Sequence, residues 1–576
     1  MKFLLTALNA KYIHSNPALY SLRAYARKHC AAYSGDVEIA EYTINQSVDD
    51  IAASLYEKEP DVIAISCYIW NWRMVQDLVR ILGVILPDVP LWLGGPEVSF
   101  HTEELLEAFP ELTGVMVGEG EQTFSRLLEY YSGGTEGLDQ IFGIVFRDGQ
   151  TGAVCRTAER ELTDLNSIPF FYEDMEDFAN RIVYYESSRG CPYRCSYCPS
   201  SIDKKVRLRS LELVKKELQF FLDKKIPQVK FIDRTFNCDH HHAQEIWRYI
   251  MEHDNGVTNF HFEVAAGILN EEELKLLGSM RPGLVQLEIG VQTTNLQTLE
   301  AIRRREDLGR LEENIAILRV GCNVHLHLDL IAGLPYEDLT SFKGSFDRVY
   351  GMRPSQLQLG FLKVLKGAHM EEMAGEYGLS YQQTPPYEVL STKWISYKEL
   401  RLLKQVEEMV ELFYNSGQFT RTIPELEKCF DTPFALYEAL AYFYKKNGYA
   451  VNNPSRMERY RLLLAFACQI APKEKTKWEE LLTFDLYLRE NCKSRPEFAP
   501  NAEPYKHAVQ AFYRKEEQER RFLDGYEGYD SRQMQRMTHV EVFSWPVRKA
   551  VLFDYQKRNP LDDNALVREI SLEEEQ

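Results

Sequence analysis

Three cysteines within eight residues constrain this chain more than any other stretch of its sequence. Cys191, Cys195 and Cys198 have three and then two residues between them, so their thiols can converge on one small cluster. Thiolates are the ligands of iron–sulfur clusters, and a [4Fe–4S] cube has four irons to bind. Three cysteines therefore leave one iron without a protein ligand, and a substrate or cofactor can bind there.

Composition limits the partners and the compartment. The length of 576 residues suggests roughly three to four domains. A net charge of −19 argues against general nucleic-acid binding, which needs lysine and arginine on one face. Eight of the 11 cysteines are dispersed, which is not typical of a disulfide framework. No apolar run approaches the roughly 18 residues of a membrane span, so we expect a reduced, cytoplasmic protein outside membranes.

Residues 1–137 alternate short apolar runs with amphipathic helices. Asp61–Ser66 is a continuous apolar run of the kind that buried parallel strands show, and glycines follow two later strands in Gly94–Glu97 and Gly118–Glu121. This pattern predicts a doubly wound, Rossmann-like α/β sheet, in which ligands lie outside the carboxyl ends of the strands. No G-x-G-x-x-G opens a helix after the first strand, so a dinucleotide is disfavoured.

A second alternation of strands and helices follows a short connection. We predict a hairpin and an extended linker over residues 138–180. Residues 181–370 then repeat six strand–helix units, which predicts a partial parallel (β/α)6 barrel. Its predicted strands are Ile182–Glu186, Val229–Asp233, Phe260–Val264, Leu284–Gln292, Val324–Ile331 and Gln356–Phe361.

Four carboxylates fall on inward faces or at strand ends of this barrel: Asp233, Glu263, Glu288 and Asp329. Unpaired buried charge is costly, so they either pair with neighbouring side chains or line a cavity for a polar ligand. Four such positions favour the cavity. The basic run Arg303–Arg305 is interpreted as a solvated face rather than as a phosphate site.

The C-x-x-x-C-x-x-C loop after a first strand, followed by six strand–helix units, resembles the radical S-adenosylmethionine (SAM) superfamily. The resemblance implies that SAM chelates the open iron and that one electron from the cluster cleaves SAM to a 5′-deoxyadenosyl radical. Tyr197 matches the aromatic position against the adenine, and Glu263 matches a position that meets the ribose. The implied SAM-binding residues are Tyr197, Asp233, Glu263, Glu288, Gln292, Asp329, Gly333 and Pro335, and the implied cluster ligands are Cys191, Cys195 and Cys198.

With that match, residues 1–137 are similar to the cobalamin-binding domain that is fused ahead of many radical SAM enzymes. The strand-end segments Gly94–Glu97 and Val117–Glu121 are similar to those that approach the corrin. No Asp-x-His-x-x-Gly occurs in residues 1–150, so no residue is marked as a lower histidine ligand of cobalt. The implied cobalamin-binding residues are Asn9, His14, Ser66, Tyr68, Gly94, Gly95, Glu97, Gly118, Glu119 and Gly120.

Residues 371–576 change to longer amphipathic helices, which predicts a mainly helical C-terminal domain. The predicted elements are helices at Leu390–Tyr414, Phe434–Asn447, Met457–Gln469, Lys475–Glu490 and Val509–Leu523, and strands at Val540–Phe543 and Val551–Tyr555. This domain either covers the barrel mouth or recognises the substrate.

The resemblance predicts a cobalamin-dependent radical SAM enzyme, and specifically a methyltransferase acting on an unactivated carbon. It implies that cobalamin accepts a methyl group from one SAM, and that the radical from a second SAM prepares the substrate carbon to receive it. The alternatives are a cobalamin-dependent radical rearrangement or oxidation without methyl transfer and, less favoured, an iron–sulfur RNA-binding or sensor protein. The sequence assigns no catalytic residue, and it leaves the substrate open between a small molecule and a modified RNA. An electron donor such as flavodoxin or ferredoxin is expected.

Overall fold

The N-terminal part of the chain is one sheet with helices on both faces. The computed structural model describes residues 1–31, 33, 35, 37–173, 175–201, 205–449 and 454–572. The strands lie in the order β2-β1-β3-β4-β5-β6-β7, and the first five are parallel whereas the last two are antiparallel. The elements are β1 (Phe3–Asn9), α1 (Pro17–His29), β2 (Val37–Thr43), α2 (Val48–Glu57), β3 (Val62–Ser66), α3 (Trp72–Ile85), β4 (Leu91–Gly94), α4 (Thr102–Ala108), β5 (Gly114–Met116), α5 (Gly120–Tyr131), β6 (Ile144–Arg147) and β7 (Val154–Arg156).

This arrangement confirms the predicted doubly wound fold. Every residue of β1 and β3 is buried, because helices cover both faces of the sheet. Strands of this kind read as continuous apolar runs. Helix α4 was not predicted; it buries only Thr102 and Leu106, too few residues to show a period. The hairpin β6–β7 pairs with β5 through Gly114 and Phe146, so the start of the segment 138–180 is continuous with the N-terminal sheet.

The second sheet contains six parallel strands in the order β15-β14-β13-β12-β11-β8, which confirms the predicted partial barrel. The strands of this sheet have two different faces, as β13 shows. Its odd-numbered residues are buried against the helices, and its even-numbered residues face inward. The elements are β8 (Val183–Tyr185), β9 (Ser188–Arg189), β10 (Arg207–Leu208), α6 (Leu211–Asp223), β11 (Gln228–Phe231), α7 (His240–Glu252), β12 (Asn259–Val264), α8 (Glu271–Ser279), β13 (Val285–Gln292), α9 (Leu296–Ala301), α10 (Leu308–Gly321), β14 (His325–Ala332), α11 (Leu339–Gly351) and β15 (Gln356–Phe361).

The C-terminal third is mainly helical and ends in a three-stranded antiparallel sheet. Its third strand, β20, was not predicted. The elements are α12 (His369–Glu372), β16 (Ser380–Tyr381), β17 (Val389–Ser391), α13 (Tyr397–Val410), a π-helical turn (Glu411–Asn415), α14 (Thr422–Glu427), α15 (Pro433–Lys446), α16 (Arg456–Ile470), α17 (Lys475–Arg489), α18 (Lys506–Glu519), α19 (Ser531–Met537), β18 (Thr538–Phe543), β19 (Lys549–Arg558) and β20 (Ala565–Ile570).

The prediction of a helix over Leu390–Tyr414 is wrong in its first turns. The chain forms β17 there, and the helix begins only at Tyr397, because Ser396 and Glu399 form a capping box. At its other end, Asn415 accepts a hydrogen bond from the Leu357 amide and donates one to the Leu357 carbonyl, both at 2.9 Å. The C-terminal domain therefore covers the open edge of the barrel sheet.

The N-terminal sheet is fixed to the start of the barrel. The Ile182 amide donates to the Ile13 carbonyl at 2.8 Å, and Arg181 forms an ion pair with the buried Glu41. The carboxyl ends of the N-terminal strands thereby face the first barrel strand. None of the helices in the described ranges is long and apolar enough to cross a membrane.

Candidate active site

The cysteine loop leaves the end of β8 and is anchored by a buried carboxylate. Asp233 accepts hydrogen bonds from the Ser187 amide at 3.0 Å and from the hydroxyls of Ser187 and Ser188 at 2.7 and 2.6 Å. Burial raises the pKa of Asp233 to about 6, although these hydrogen bonds oppose the shift. Both carboxylate oxygens are therefore engaged in holding the strand that enters the loop.

The three cysteines lie on one folded loop. Cys191 and Cys195 are buried and Cys198 is half-buried, and the Cys198 amide donates to the Cys195 carbonyl at 3.1 Å. Ser196, between them, is held by Ile302 at 2.9 Å and by Met370 at 2.7 Å through its backbone. No group of His, Cys, Asp and Glu side chains in the described residues converges on a single ion. A cubane does not require such convergence, because each ligand sulfur binds a different iron.

A buried arginine lies beside this loop, contrary to the interpretation of its basic run as solvated. Arg304 Nη1 is 3.9 Å from Cys195 Sγ, and its guanidinium lies over the Tyr193 ring at 5.9 Å. Glu306 at 3.1 Å and the Gly290 carbonyl hold the other nitrogen. Burial raises the pKa of the Cys195 thiol, and Arg304 opposes that rise. A fixed cation next to a ligand cysteine suits a thiolate-bound cluster.

The end of β13 presents an unsatisfied polar group to the same region. Gln292 has a φ of 72°, β13 has an irregular register between Gly290 and Gln292, and the buried Gln292 Oε1 has no hydrogen-bond partner among the described residues. Such strain and an orphaned acceptor are typical of a site that awaits a ligand. These residues therefore fit a polar cofactor beside the cluster loop.

The other predicted SAM-binding residues are distributed around the barrel. Tyr197 is half-buried next to Cys195, and Gly333 and Pro335 follow the end of β14, where Gly333 has a φ of 86°. Glu288 contacts His261 at 3.0 Å and Lys230 at 3.3 Å, and these contacts lower the pKa of Glu288 to about 2. Asp329 lies 3.1 Å from His327.

Glu263 differs from the other three predicted carboxylates. It makes no hydrogen bond or ion pair with a described residue, and burial raises the pKa of Glu263 to about 7. Its side chain lines a cavity of about 540 Å³ between the barrel and the N-terminal sheet. Asp233, Glu288 and Asp329 therefore contact neighbouring side chains. Only Glu263 of the four fits the alternative, a carboxylate that lines a ligand cavity.

The opposite wall of this cavity is the carboxyl edge of the N-terminal sheet. His14 and Tyr184 are joined across the domain boundary by a 2.6 Å hydrogen bond, and burial lowers the pKa of His14. The Tyr68 and Trp70 rings stack at 4.3 Å. Asn9 is engaged with Glu41 at 2.8 Å, so its amide supports the loop after β1.

A groove of about 480 Å³ continues from this cavity along the sheet edge. Ser66, Gly94, Gly95, Gly118 and Gly120 line it. Gly95 has a φ of 109°, and an added Cβ would lie 2.5 Å from the Cys67 carbonyl. Gly118 has a φ of 79° and open space beside its Cα. Glycines at these positions let a large ligand approach the backbone closely, so this part of the groove fits the predicted cobalamin.

Two predicted cobalamin residues are engaged in contacts between parts of the chain. Glu119 pairs with Arg207 and, at 3.3 Å, with Arg189; burial raises the pKa of Glu119, but these arginines lower it to about 2 overall. Glu97 pairs with Lys366 at 2.9 Å and accepts a hydrogen bond from Tyr387. These carboxylates join the ligand-facing loops to the barrel and to the C-terminal segment.

The sequence did not indicate the two arginines that line both the cavity and the groove. Arg189 binds Glu186 at 2.7 Å and Glu121 at 2.9 Å and lines both the cavity and the groove. Arg234 lines both spaces as well. The only signal for either residue was its position at a strand end, because single arginines in loops carry no pattern.

A parallel barrel with three clustered cysteines at its first strand end, facing a glycine-lined Rossmann edge, defines a radical SAM protein with a corrinoid-type partner domain. The family models agree with this class. The B12 binding domain matches residues 4–128, the Radical SAM superfamily matches residues 185–349, and a protein of unknown function family (DUF4080) matches residues 375–560.

Two curated relatives match at low identity. The 2-(S-pantetheinyl)-carbapenam-3-carboxylate methyltransferase of Streptantibioticus cattleyicolor is 25% identical over 342 residues, which cover 56% of this chain and 49% of that protein. The anaerobic magnesium-protoporphyrin IX monomethyl ester cyclase of Cereibacter sphaeroides is 22% identical over 334 residues, covering 54% and 52%. The chain spans about half the length of the curated relatives it matches.

The fold also has a solved counterpart. The cobalamin-dependent SAM radical enzyme OxsB, solved with aqua-cobalamin and SAM, matches with a TM-score of 0.59 at 17% identity over 84% of this chain and 78% of that one. The family models bear out the predicted resemblance: this chain combines a B12-binding domain and a radical SAM domain. The cofactors that these domains imply are a [4Fe–4S] cluster, SAM and cobalamin.

Proposed function

We propose that this chain is a cobalamin-dependent radical SAM methyltransferase that methylates an unactivated carbon. The observation that carries the proposal is the cavity of about 540 Å³ between the two domains. Tyr68 and Trp70 from the B12-binding domain and Glu186, Arg234 and Glu263 from the barrel all line it. A substrate in this space would contact both domains at once, which is the proximity that a transfer between two cofactors requires.

The chain's own residues would prepare this space. Cys191, Cys195 and Cys198 would hold the cluster that, together with SAM, supplies the radical chemistry. The hydrogen bond between His14 and Tyr184 fixes the two domains against each other at the cavity wall.

A radical rearrangement or oxidation without methyl transfer is the second candidate. The observation that favours it is the match to the magnesium-protoporphyrin IX monomethyl ester cyclase, whose name describes a cyclisation and not a methyl transfer. The cavity accommodates both reactions, so the products must separate them.

Product analysis tests the proposal. Protein reconstituted with cluster and hydroxocobalamin is incubated anaerobically with SAM and dithionite, and S-adenosylhomocysteine and 5′-deoxyadenosine are quantified. We expect both products, and we expect omission of hydroxocobalamin to remove only S-adenosylhomocysteine. Formation of 5′-deoxyadenosine alone under all conditions would favour the second candidate. Formation of neither by protein with an intact cluster would refute both.

The substrate and the electron donor belong to the same proposal. We expect a small molecule or a modified RNA as substrate and a flavodoxin or ferredoxin as donor. Replacing dithionite by reduced flavodoxin in the same assay should preserve 5′-deoxyadenosine formation.

A further inference from the structure

Arg234 is an exposed arginine that lines the interdomain cavity, and no described residue pairs with it. It follows β11 directly after the anchored Asp233, and its side chain lines both the cavity and the adjoining groove. Its guanidinium makes no hydrogen bond or ion pair with any residue that the structure describes. A guanidinium presents five donors in a fixed fork, so its geometry matches a carboxylate or a phosphate.

The other cation of this cavity is already neutralised. Arg189 contacts Glu186, Glu121 and Glu119, and Arg207 adds a second cation to that group. Three carboxylates thus surround two arginines, and this cluster leaves no positive charge for a ligand. Arg234 differs because its charge has no acidic partner of its own.

Glu263 lines the same cavity as Arg234 but does not neutralise its charge. The two interact only through space, without an ion pair, and burial raises the pKa of Glu263 to about 7. At neutral pH, Glu263 therefore carries a fractional charge, and His14 is neutral because burial lowers its pKa. Among the described residues, no acceptor engages the Arg234 guanidinium, so its donors are available to an anion in the cavity.

We propose that the substrate of this chain carries a carboxylate or phosphate group, which Arg234 binds inside the interdomain cavity. This inference rests on the proposed function and names its substrate class. Two other anions could reach the same guanidinium, namely the carboxylate of SAM and the phosphate of cobalamin. The experiment must separate these three sources.

The stacked Tyr68 and Trp70 rings suggest a suitable probe. Trp70 is 45% exposed, so a flat apolar body can pack against the pair while an attached anion reaches across the cavity. Indole-3-acetate and its neutral amide, indole-3-acetamide, differ only in the group that Arg234 would recognise. Equilibrium dialysis at constant ionic strength measures both on holoprotein loaded with cluster, hydroxocobalamin and SAM.

We expect the carboxylate to bind about tenfold more tightly than the amide, and we expect Arg234→Gln to remove this preference. Arg305→Gln, at another exposed arginine of the barrel that does not line the cavity, should retain it. Affinity of Arg234→Gln for SAM and for hydroxocobalamin should stay within about twofold of the parent protein, because neither would be the ligand of Arg234.

Three results would overturn the inference. They are equal binding of acid and amide by the parent protein, a preference that survives Arg234→Gln, and a selective loss of SAM or cobalamin affinity in that variant. The assay involves no turnover. A chain that shows the Arg234-dependent preference but forms no S-adenosylhomocysteine would contradict the methyl-transfer proposal instead.

Discussion

Two walls of the molecule, the glycine-lined edge of the N-terminal sheet and the cysteine-loop end of the barrel, prepare for their ligands in different ways. The Rossmann edge offers backbone, because Gly94, Gly95 and Gly118 let a ligand approach the main chain. The nearby carboxylates Glu97 and Glu119 are engaged in contacts between domains. The barrel wall offers side chains with fixed charge, such as Arg304 at 3.9 Å from Cys195 Sγ. One surface recognises a large ligand by shape, and the other holds a charged cluster by electrostatics. Substitutions on the two walls should therefore have separable effects.

Replacing a predicted cluster ligand should have the largest effect, and this effect should be confined to the cysteine-loop wall. Cys195→Ser is expected to abolish the absorbance and the stoichiometric iron of the reconstituted cluster, because serine is a poor ligand for iron in such clusters. Hydroxocobalamin binding should be unchanged. Cys322→Ser, at an exposed cysteine, is the control and should keep both cofactors. Loss of cobalamin in Cys195→Ser would show that the walls are not independent.

Gly95→Ala tests the other wall. The added Cβ would approach the Cys67 carbonyl to 2.5 Å at a φ of 109°, so the loop must shift. We expect a loss of about 1–3 kcal/mol in stability together with much weaker hydroxocobalamin binding. Cluster content should not change. Gly149→Ala, where nothing lies within 4 Å of the new Cβ, should bind hydroxocobalamin normally. Equal cobalamin stoichiometry in both variants would contradict the groove assignment.

Glu119→Gln tests the contact that joins the two walls. The folded-state pKa of Glu119 is lowered to about 2, so the carboxylate stabilises the fold at neutral pH and loses this contribution as the pH falls towards 2. We expect the variant to be about 2–3 kcal/mol less stable in urea at pH 7, with a difference that shrinks at pH 3. Glu103→Gln, which removes a half-exposed pair with Arg156, should cost under about 1 kcal/mol. A pH-independent difference for Glu119→Gln would contradict the ionic origin.

Arg304→Gln should have the smallest effect on the structure, but it should change the midpoint potential of the cluster. Removing a buried positive charge near the cluster makes reduction less favourable, so the midpoint potential is expected to become more negative at unchanged iron content. Potentiometric titration followed by electron paramagnetic resonance measures the shift. Arg305→Gln should leave the potential unchanged. An unshifted potential in Arg304→Gln would mean that solvent screens the guanidinium.

Much of the fold was predictable because its elements are periodic. Buried strands such as β3 and two-sided strands such as β13 carry clear patterns, and the cysteine spacing identifies the loop by itself. The start of α13 was not predictable, because a capping box at Ser396 overrides the apolar periodicity before it. Arg304 was misjudged for a related reason: the sequence cannot show that a tertiary contact buries one member of a charged run.

The roles of the inward carboxylates were only partly predictable. Alternation shows that Glu263 and Glu288 face inward, but it does not show their partners. Glu288 meets His261 from the neighbouring strand, whereas Glu263 meets none, and this difference depends on strand register. The role of Arg234 was unpredictable for the same reason: that no described residue pairs with it depends on how the chain folds around the cavity.

We propose that the cluster and the cobalamin bind close to each other, on either side of the interdomain cavity. Electron paramagnetic resonance of the anaerobic holoprotein, with cobalamin as cob(II)alamin and the cluster reduced, measures whether they do. Gly190, next to Cys191, lines the cavity of about 540 Å³, and the glycine groove adjoins that cavity. The two spins should therefore interact, and the cob(II)alamin signal should relax faster than in Cys195→Ser loaded with cobalamin alone. Identical relaxation in the two samples, at full occupancy of both cofactors, would contradict the account.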